Sequence, residues 1–370
     1  SDEQWNFEMA RRTVQGEGNW PWIGMLASVG IENPGLSTWP FIGLACLFRT
    51  PEGMTLGVMI INAVWLLGLA LWVRSTWAEE HRWWGVWAIA LFAVSPLPIL
   101  FSRKLWTPDL LPLLLLPCLW THARRREPRF AFLWGFVGML MGQLQMAGFF
   151  AAAGLAAGSW ITDRKEVKWV PWAWGSVLGI LPMFPWIWYE LHQGRSPRMA
   201  LGLSPLFLLQ FYRTAFGLGL EDFLGSDHAT FAAGPVVAGV STALVSGIEI
   251  ALLGLAIYGT LLLWVDRRSL TFPIGQRPLL WGALIGAGLL QIVCPRINLY
   301  YLVAWSPVLH IGAAWMFARR PRLLVATAGL QMCLSLTFLL FIHEHGGAPG
   351  GDYGVTYRRQ HLEPASTVPR

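Results

Sequence analysis

Between Arg129 and Asp163 the chain runs for 33 residues, 130–162, without one Asp, Glu, Lys or Arg. A helix or strand of a soluble fold keeps a polar face toward water, so so long an uncharged run has to lie in lipid. About 20 apolar residues cross the roughly 30 Å hydrocarbon core of a bilayer, which makes 33 too long for one span and short for two. Further uncharged runs lie at 54–73, 83–101, 169–189 and 323–342, and shorter or interrupted ones at 108–120, 236–265, 278–294 and 297–318. Charged residues are only 13% of the 370, against about 25% in soluble proteins. A soluble fold is excluded, and the expected class is an all-α polytopic membrane protein.

The middle of the long run reads GQLQMAG, Gly142 to Gly148. Two glycines around two amides suggest a break, giving a helical hairpin of 130–143 and 147–162. Loop charge supports this. With the hairpin there are about ten spans, and the loops 74–82, 121–129, 163–168, 266–277 and 319–322 share one side. Those 40 residues hold 15 of the 27 Lys and Arg. With a single span the two sides hold 13 and 14, so the excess of inward positive charge favours the hairpin.

This arrangement places three segments outside: a first loop, 1–53; a loop, 190–235, within the transmembrane region 54–342; and a polar tail, 343–370. Because an outer segment comes first, a preceding helix is expected, eleven spans in all. The absence of eukaryotic features suggests a bacterial inner membrane with the outer segments in the periplasm. The net charge of +6 is distributed as short loop clusters, so nucleic acid is not expected as a partner and membrane lipids are. Cys46, Cys118, Cys294 and Cys333 lie far apart and read as packing residues.

The opening SDEQWNFEMARRTVQGEGNW predicts a helix over Asp2 to Gln15, with acids in its first turn, where the helix dipole favours them, and Glu8 paired with Arg12 at i, i+4. Glu3, Phe7 and Ala10 share one side. An interfacial helix is expected after Asn33-Pro34. The stretch LSPLFLLQFYRTAFGLGL within 190–235 reads as amphipathic and interfacial.

An Asp-Glu pair at the outer surface, an Ala-Arg helix end, a Gly-x-Trp turn and an Asn-Pro-Gly segment leading to the next span together resemble the GT-C superfamily of membrane glycosyltransferases. Within it, the chain is similar to bacterial members related to protein mannosyltransferases and to aminoarabinose transfer onto lipid A. FSRKLWTPDLLPLLL (Phe101 to Leu115), GFVGMLMGQLQMAGFF and PRINLYYLVAWSPVLHIGAAW agree with that family in order. The chain departs from it in lacking the first span, in Gln143 and Gln145 where some relatives carry Lys, and in Asn33-Pro34-Gly35 where a double proline often stands. The resemblance implies a polyprenyl-phosphate-linked sugar as donor, a hydroxyl on a lipid, glycan or protein as acceptor, and transfer on the outer face with inversion.

A phosphate leaves as an anion, so such an enzyme needs a base for the acceptor and cations for the phosphate, and no general acid. Asp2 is the candidate base and Glu3 the second. Arg103, Lys104 and Arg296, with Tyr300 and Tyr301, are candidates for the phosphate, or alternatively interfacial anchors. Gln143 and Gln145 either line the pocket or satisfy the broken backbone. Asp109 either orients Arg103 or caps a short helix. Glu249 stands alone in an apolar run. His343, Glu344, His345 and Asp352 lack a recognised metal-ligand spacing; a divalent cation is left open by the family, and no motif supports a nucleotide. The competing function is a transporter or flippase of a lipid-linked precursor, which should show matched broken helices in two halves.

Overall fold

The computed structural model describes residues 2–27, 29–193, 202, 207–237, 240–266, 276–294, 299–357 and 359. The elements in chain order are α1 (Asp2–Val14), β1 (Ile23–Leu26), β2 (Glu32–Pro34), α2 (Trp39–Leu47), α3 (Pro51–Thr76), α4 (Glu79–Val94), α5 (Pro96–Leu100), α6 (Thr107–Leu110), α7 (Pro112–Ala123), α8 (Pro128–Leu144), α9 (Ala147–Asp163), α10 (Trp169–Ile180) and α11 (Phe184–His192). They continue with α12 (Phe207–Phe216), α13 (Glu221–Leu224), α14 (His228–Ala233), β3 (Val236–Val237), β4 (Val240–Ser241), α15 (Leu244–Asp266), α16 (Arg277–Val293), α17 (Ser306–Met316), α18 (Pro321–His345), β5 (Gly347–Ala348) and β6 (Gly354–Val355). The strands form three short antiparallel pairs, β1–β2, β3–β4 and β5–β6.

Among the described residues, four helical segments are long and apolar enough to cross a membrane: Pro51–Thr76, Trp169–His192, Leu244–Val265 and Pro321–His345. Gly35–Leu47, Pro112–Ala123 and Arg277–Val293 are shorter apolar helices. On α3, Leu56, Ile60, Val64, Leu67 and Leu71 are all exposed, an apolar stripe at helical spacing that suits lipid rather than water. Other expected runs are interrupted. The run 83–101 breaks at Ser95, where Pro96 supplies no N–H. The run 297–318 has a 3-10 segment, Leu299–Trp305, before α17, and 236–265 starts with the β3–β4 pair.

The break in 130–162 is present. α8 stops at Leu144, Gln145 is extended, and α9 starts at Ala147. The Gly148 N–H donates to the Gln145 carbonyl at 2.7 Å. The chain doubles back so tightly that a Cβ on Gly148 would stand 2.5 Å from the Met141 carbonyl oxygen, which is why the turn takes glycine there.

The chain divides into two compact units, one of Ser1–Ile89, Leu100–Phe207 and Phe272–Val308, the other of Ala90–Ile99, Leu208–Thr271 and Leu309–Arg370. In the first, α9 lies against α16 through glycines, Gly154 and Gly158 meeting the backbone at Gly282, Gly286 and Pro278. α8 and α10 meet in the same way at Gly135 and Gly175. Small residues let helix backbones approach closely and gain dispersion contacts where hydrophobic burial provides no drive. At the charged end of these helices Arg125 pairs with Asp163 and Arg126 with Glu166, and the Lys168 N–H donates to the Arg125 carbonyl at 3.2 Å. Buried His122 Nε2 and Ser159 Oγ, 2.8 Å apart, join α7 to α9.

In the second unit α18 packs on α15 and carries a buried polar stripe, Thr327, Gln331 and Ser335. Gln331 Nε2 donates to the Ala215 carbonyl at 3.1 Å, and Ser335 Oγ to that of Val94 at 2.6 Å. Glu249 meets His228 Nε2 at 3.1 Å. The start of the expected polar tail is folded: the Tyr353 N–H donates to the Phe223 carbonyl at 2.8 Å and the Ser226 N–H to that of Gly350 at 3.2 Å.

Candidate active site

α1 is held as a helix by charges placed to suit it. Asp2 and Glu3 lie in its first turn and Arg11 and Arg12 in its last. Glu8 takes both guanidiniums, Arg11 Nη2 and Arg12 Nε each 2.8 Å from its Oε1. The hydrogen bonds from Arg11 and then Arg12 pull the Glu8 carboxyl down to about 2. The opposite face is pressed into the protein. Ala10 is fully buried, and Asn6 is buried with its Nδ2 donating to the Leu105 carbonyl at 2.9 Å.

That bond ties α1 to the segment between α5 and α6. Asp109 is completely buried, and its Oδ2 accepts the Lys104 backbone N–H at 2.8 Å. Its carbonyl takes a 2.9 Å bond from Asn62 Nδ2 on α3. Of the two roles weighed for Asp109, its observed bond serves neither: it closes the 104–109 loop. Lys104 Nζ then stands 3.3 Å from Glu3 Oε1 and 5.7 Å from the centre of the Trp106 ring. Trp106 packs on Tyr300 with centroids 4.9 Å apart, and Tyr300 on Tyr301 at 4.3 Å.

Beside this cluster is a cavity of about 150 Å³. Its wall is built from six chain segments: Asp2 of α1, residues of the β1–β2 hairpin including Asn33, Trp106 to Pro108 at the start of α6, Gln145 to Ala147 at the α8–α9 turn, the end of α16 with Cys294, and Tyr300 with Tyr301. Asp2 is the only acidic residue among the described lining residues, and none of those is Lys or Arg. Part of the cavity wall is a helix break, where Gln145 Nε2 reaches the Tyr300 carbonyl at 3.4 Å and Oε1 is buried with no hydrogen-bond partner among the described residues.

Of the residues singled out from sequence, Asp2, Gln145, Tyr300 and Tyr301 come together on this wall. Glu3 and Lys104 pair next to it. Arg103 is half-buried and does not line it. Gln143 does not line it either: fully buried, it donates Nε2 to the carbonyls of Gly179 at 2.6 Å and Met139 at 3.2 Å, joining α8 to α10. Arg296 lies outside the described residues. Among the described residues no group of three or more His, Cys, Asp or Glu is placed to hold a metal ion.

Sequence reasoning missed Asn6, Asn33, Trp106 and Thr107. Asn6 had a signal, since it follows Glu3 by three residues on one helix face. Trp106 had one in its nearness to Lys104. Comparison of the chain with family models, curated proteins and solved structures gives no match.

Proposed function

We propose that the chain is an inverting glycosyltransferase that moves a sugar from a polyprenyl-phosphate donor to a hydroxyl of a lipid, glycan or protein on the outer face of a bacterial inner membrane. The observation that carries this reading is Asp2: a carboxylate on the wall of a cavity that also presents Trp106, Tyr300, Asn33 and Gln145. Aromatic faces suit the apolar C–H face of a sugar ring, and carboxylates and amides suit its hydroxyls.

In this reaction the acceptor oxygen attacks the anomeric carbon from the face opposite the phosphate. Its proton passes to Asp2, the C–O bond to phosphate breaks, and the lipid phosphate departs as an anion. Lys104, beside the cavity, offsets that charge, and Glu3 neighbours Lys104. The ten-span arrangement accords with this, because Asp2 and the α8–α9 turn must then share one side. Their presence in one cavity supports the hairpin topology.

The test is transfer by the purified full-length protein from a panel of undecaprenyl-phosphate sugars to membrane lipid extracts, read as labelled product with inverted anomeric configuration. Absence of transfer from every donor, alongside vesicle uptake of the same lipids, would favour the transporter reading instead.

A further inference from the structure

We infer that Glu3 is a positioning residue that holds Lys104 in the empty site, yields it to the donor phosphate, and takes it back to release the lipid-phosphate product. This rests on the reading of the site as a lipid-phosphate sugar transferase.

Asp2 and Glu3 are consecutive on α1, so their side chains leave the helix about 100° apart. One lines the cavity and the other meets Lys104 Nζ at 3.3 Å. The acid doublet is thereby divided between two tasks. The Lys104 side chain is about 10% exposed, whereas that of Glu3 is 41% exposed. A buried ammonium without a counter-charge is costly, and the Glu3 carboxylate at this place offsets that cost. The backbone that carries Lys104 is fixed independently, by Asp109 at the Lys104 N–H and by Asn6 at the Leu105 carbonyl. Only the lysine side chain has to move for its ammonium to change partners.

The chemistry requires such an exchange. The donor is a phosphodiester with one negative charge, and the product is a phosphomonoester carrying about −1.5 to −2 at neutral pH. Lys104 therefore binds the product more tightly than the donor, and turnover slows unless something competes for the cation. Glu3 is placed to compete.

The test measures the dissociation constant of undecaprenyl phosphate alone, without sugar, for the full-length protein in nanodiscs by quenching of tryptophan fluorescence. Glu3→Gln is expected to tighten binding about two- to fivefold, the scale of one partly exposed ion pair. Lys104→Gln is expected to weaken it at least tenfold, and in that background Glu3→Gln should have no further effect. Should Glu3→Gln not fold, Glu3→Asp, which withdraws the carboxylate by one methylene, is expected to tighten binding about twofold. Unchanged or weaker binding in a folded Glu3 variant, or a Glu3 effect that persists without Lys104, overturns the inference and leaves the transferase reading standing. Failure of the wild-type protein to bind undecaprenyl phosphate overturns both.

Discussion

Asn6 Nδ2 donates a 2.9 Å hydrogen bond to the carbonyl of Leu105, with both groups buried. Through it α1, which carries Asp2, is fastened to the loop that carries Lys104 and Trp106. Replacing Asn6 by Leu leaves that carbonyl buried without this donor. The expected cost is about 1–3 kcal/mol. A lower melting temperature and reduced transfer, with Asp2 intact, would be read in parallel; an unchanged melting temperature counts against the fastening role.

Asp2→Asn removes the candidate base while keeping its size. Transfer should fall by about 10²- to 10⁴-fold, with undecaprenyl phosphate still bound. Retained turnover in the Asn variant would eliminate Asp2 as the base.

His228 is raised above its ordinary value, chiefly by the hydrogen bond to the Glu249 carboxylate, with burial opposing. A raised histidine contributes stability that is complete below its unfolded value of about 6.5 and is lost as pH rises through the folded value. Thermal stability of the wild-type protein should therefore decline from pH 6 to pH 9. His228→Gln should flatten that decline, and a parallel slope in the variant would show that another group is responsible.

The two-sided arrangement predicts labelling. With Cys46 and Cys333, the two exposed native thiols, replaced by Ser, Glu17→Cys should react with an impermeant maleimide added to spheroplasts. Arg126→Cys should react only in inverted vesicles. Lys165→Cys, which follows the uncharged run, should label as Arg126→Cys does, and its reaction in spheroplasts would refute the hairpin topology.

Gly154→Val places a branched side chain against the Gly282 carbonyl and the Gly286 backbone. Overpacking of this kind costs about 1–3 kcal/mol, and the loss should appear as a lower melting temperature in detergent.

Much of this was legible because membrane helices leave coarse traces. The uncharged run 130–162 announced a hairpin, and the paired glycines located its turn to within a residue or two of Gln145. α1 was readable from its terminal charges and the Glu8–Arg12 spacing. Helix continuity was less readable: Pro96 and the 3-10 segment at Leu299–Trp305 break runs whose hydropathy alone gives no hint of it. In the site, polar residues at helix ends were found, but their division of labour was not. Gln143 and Gln145 are two residues apart and end on different sides of α8, one bonding α10 and the other facing the cavity. Only the position of the break decides which is which.

The glycine seam between α9 and α16 reaches beyond stability. Ala147 and Phe150 at the beginning of α9, and Leu290 and Val293 at the end of α16, are walls of the cavity. Gly154 lies about two turns, roughly 10 Å, along the helix from Ala147. The spacing of the two helix ends that line the cavity is therefore set by backbones that meet at this glycine seam. The width of the cavity thus depends on positions, Gly154 and Gly282 among them, that do not line it.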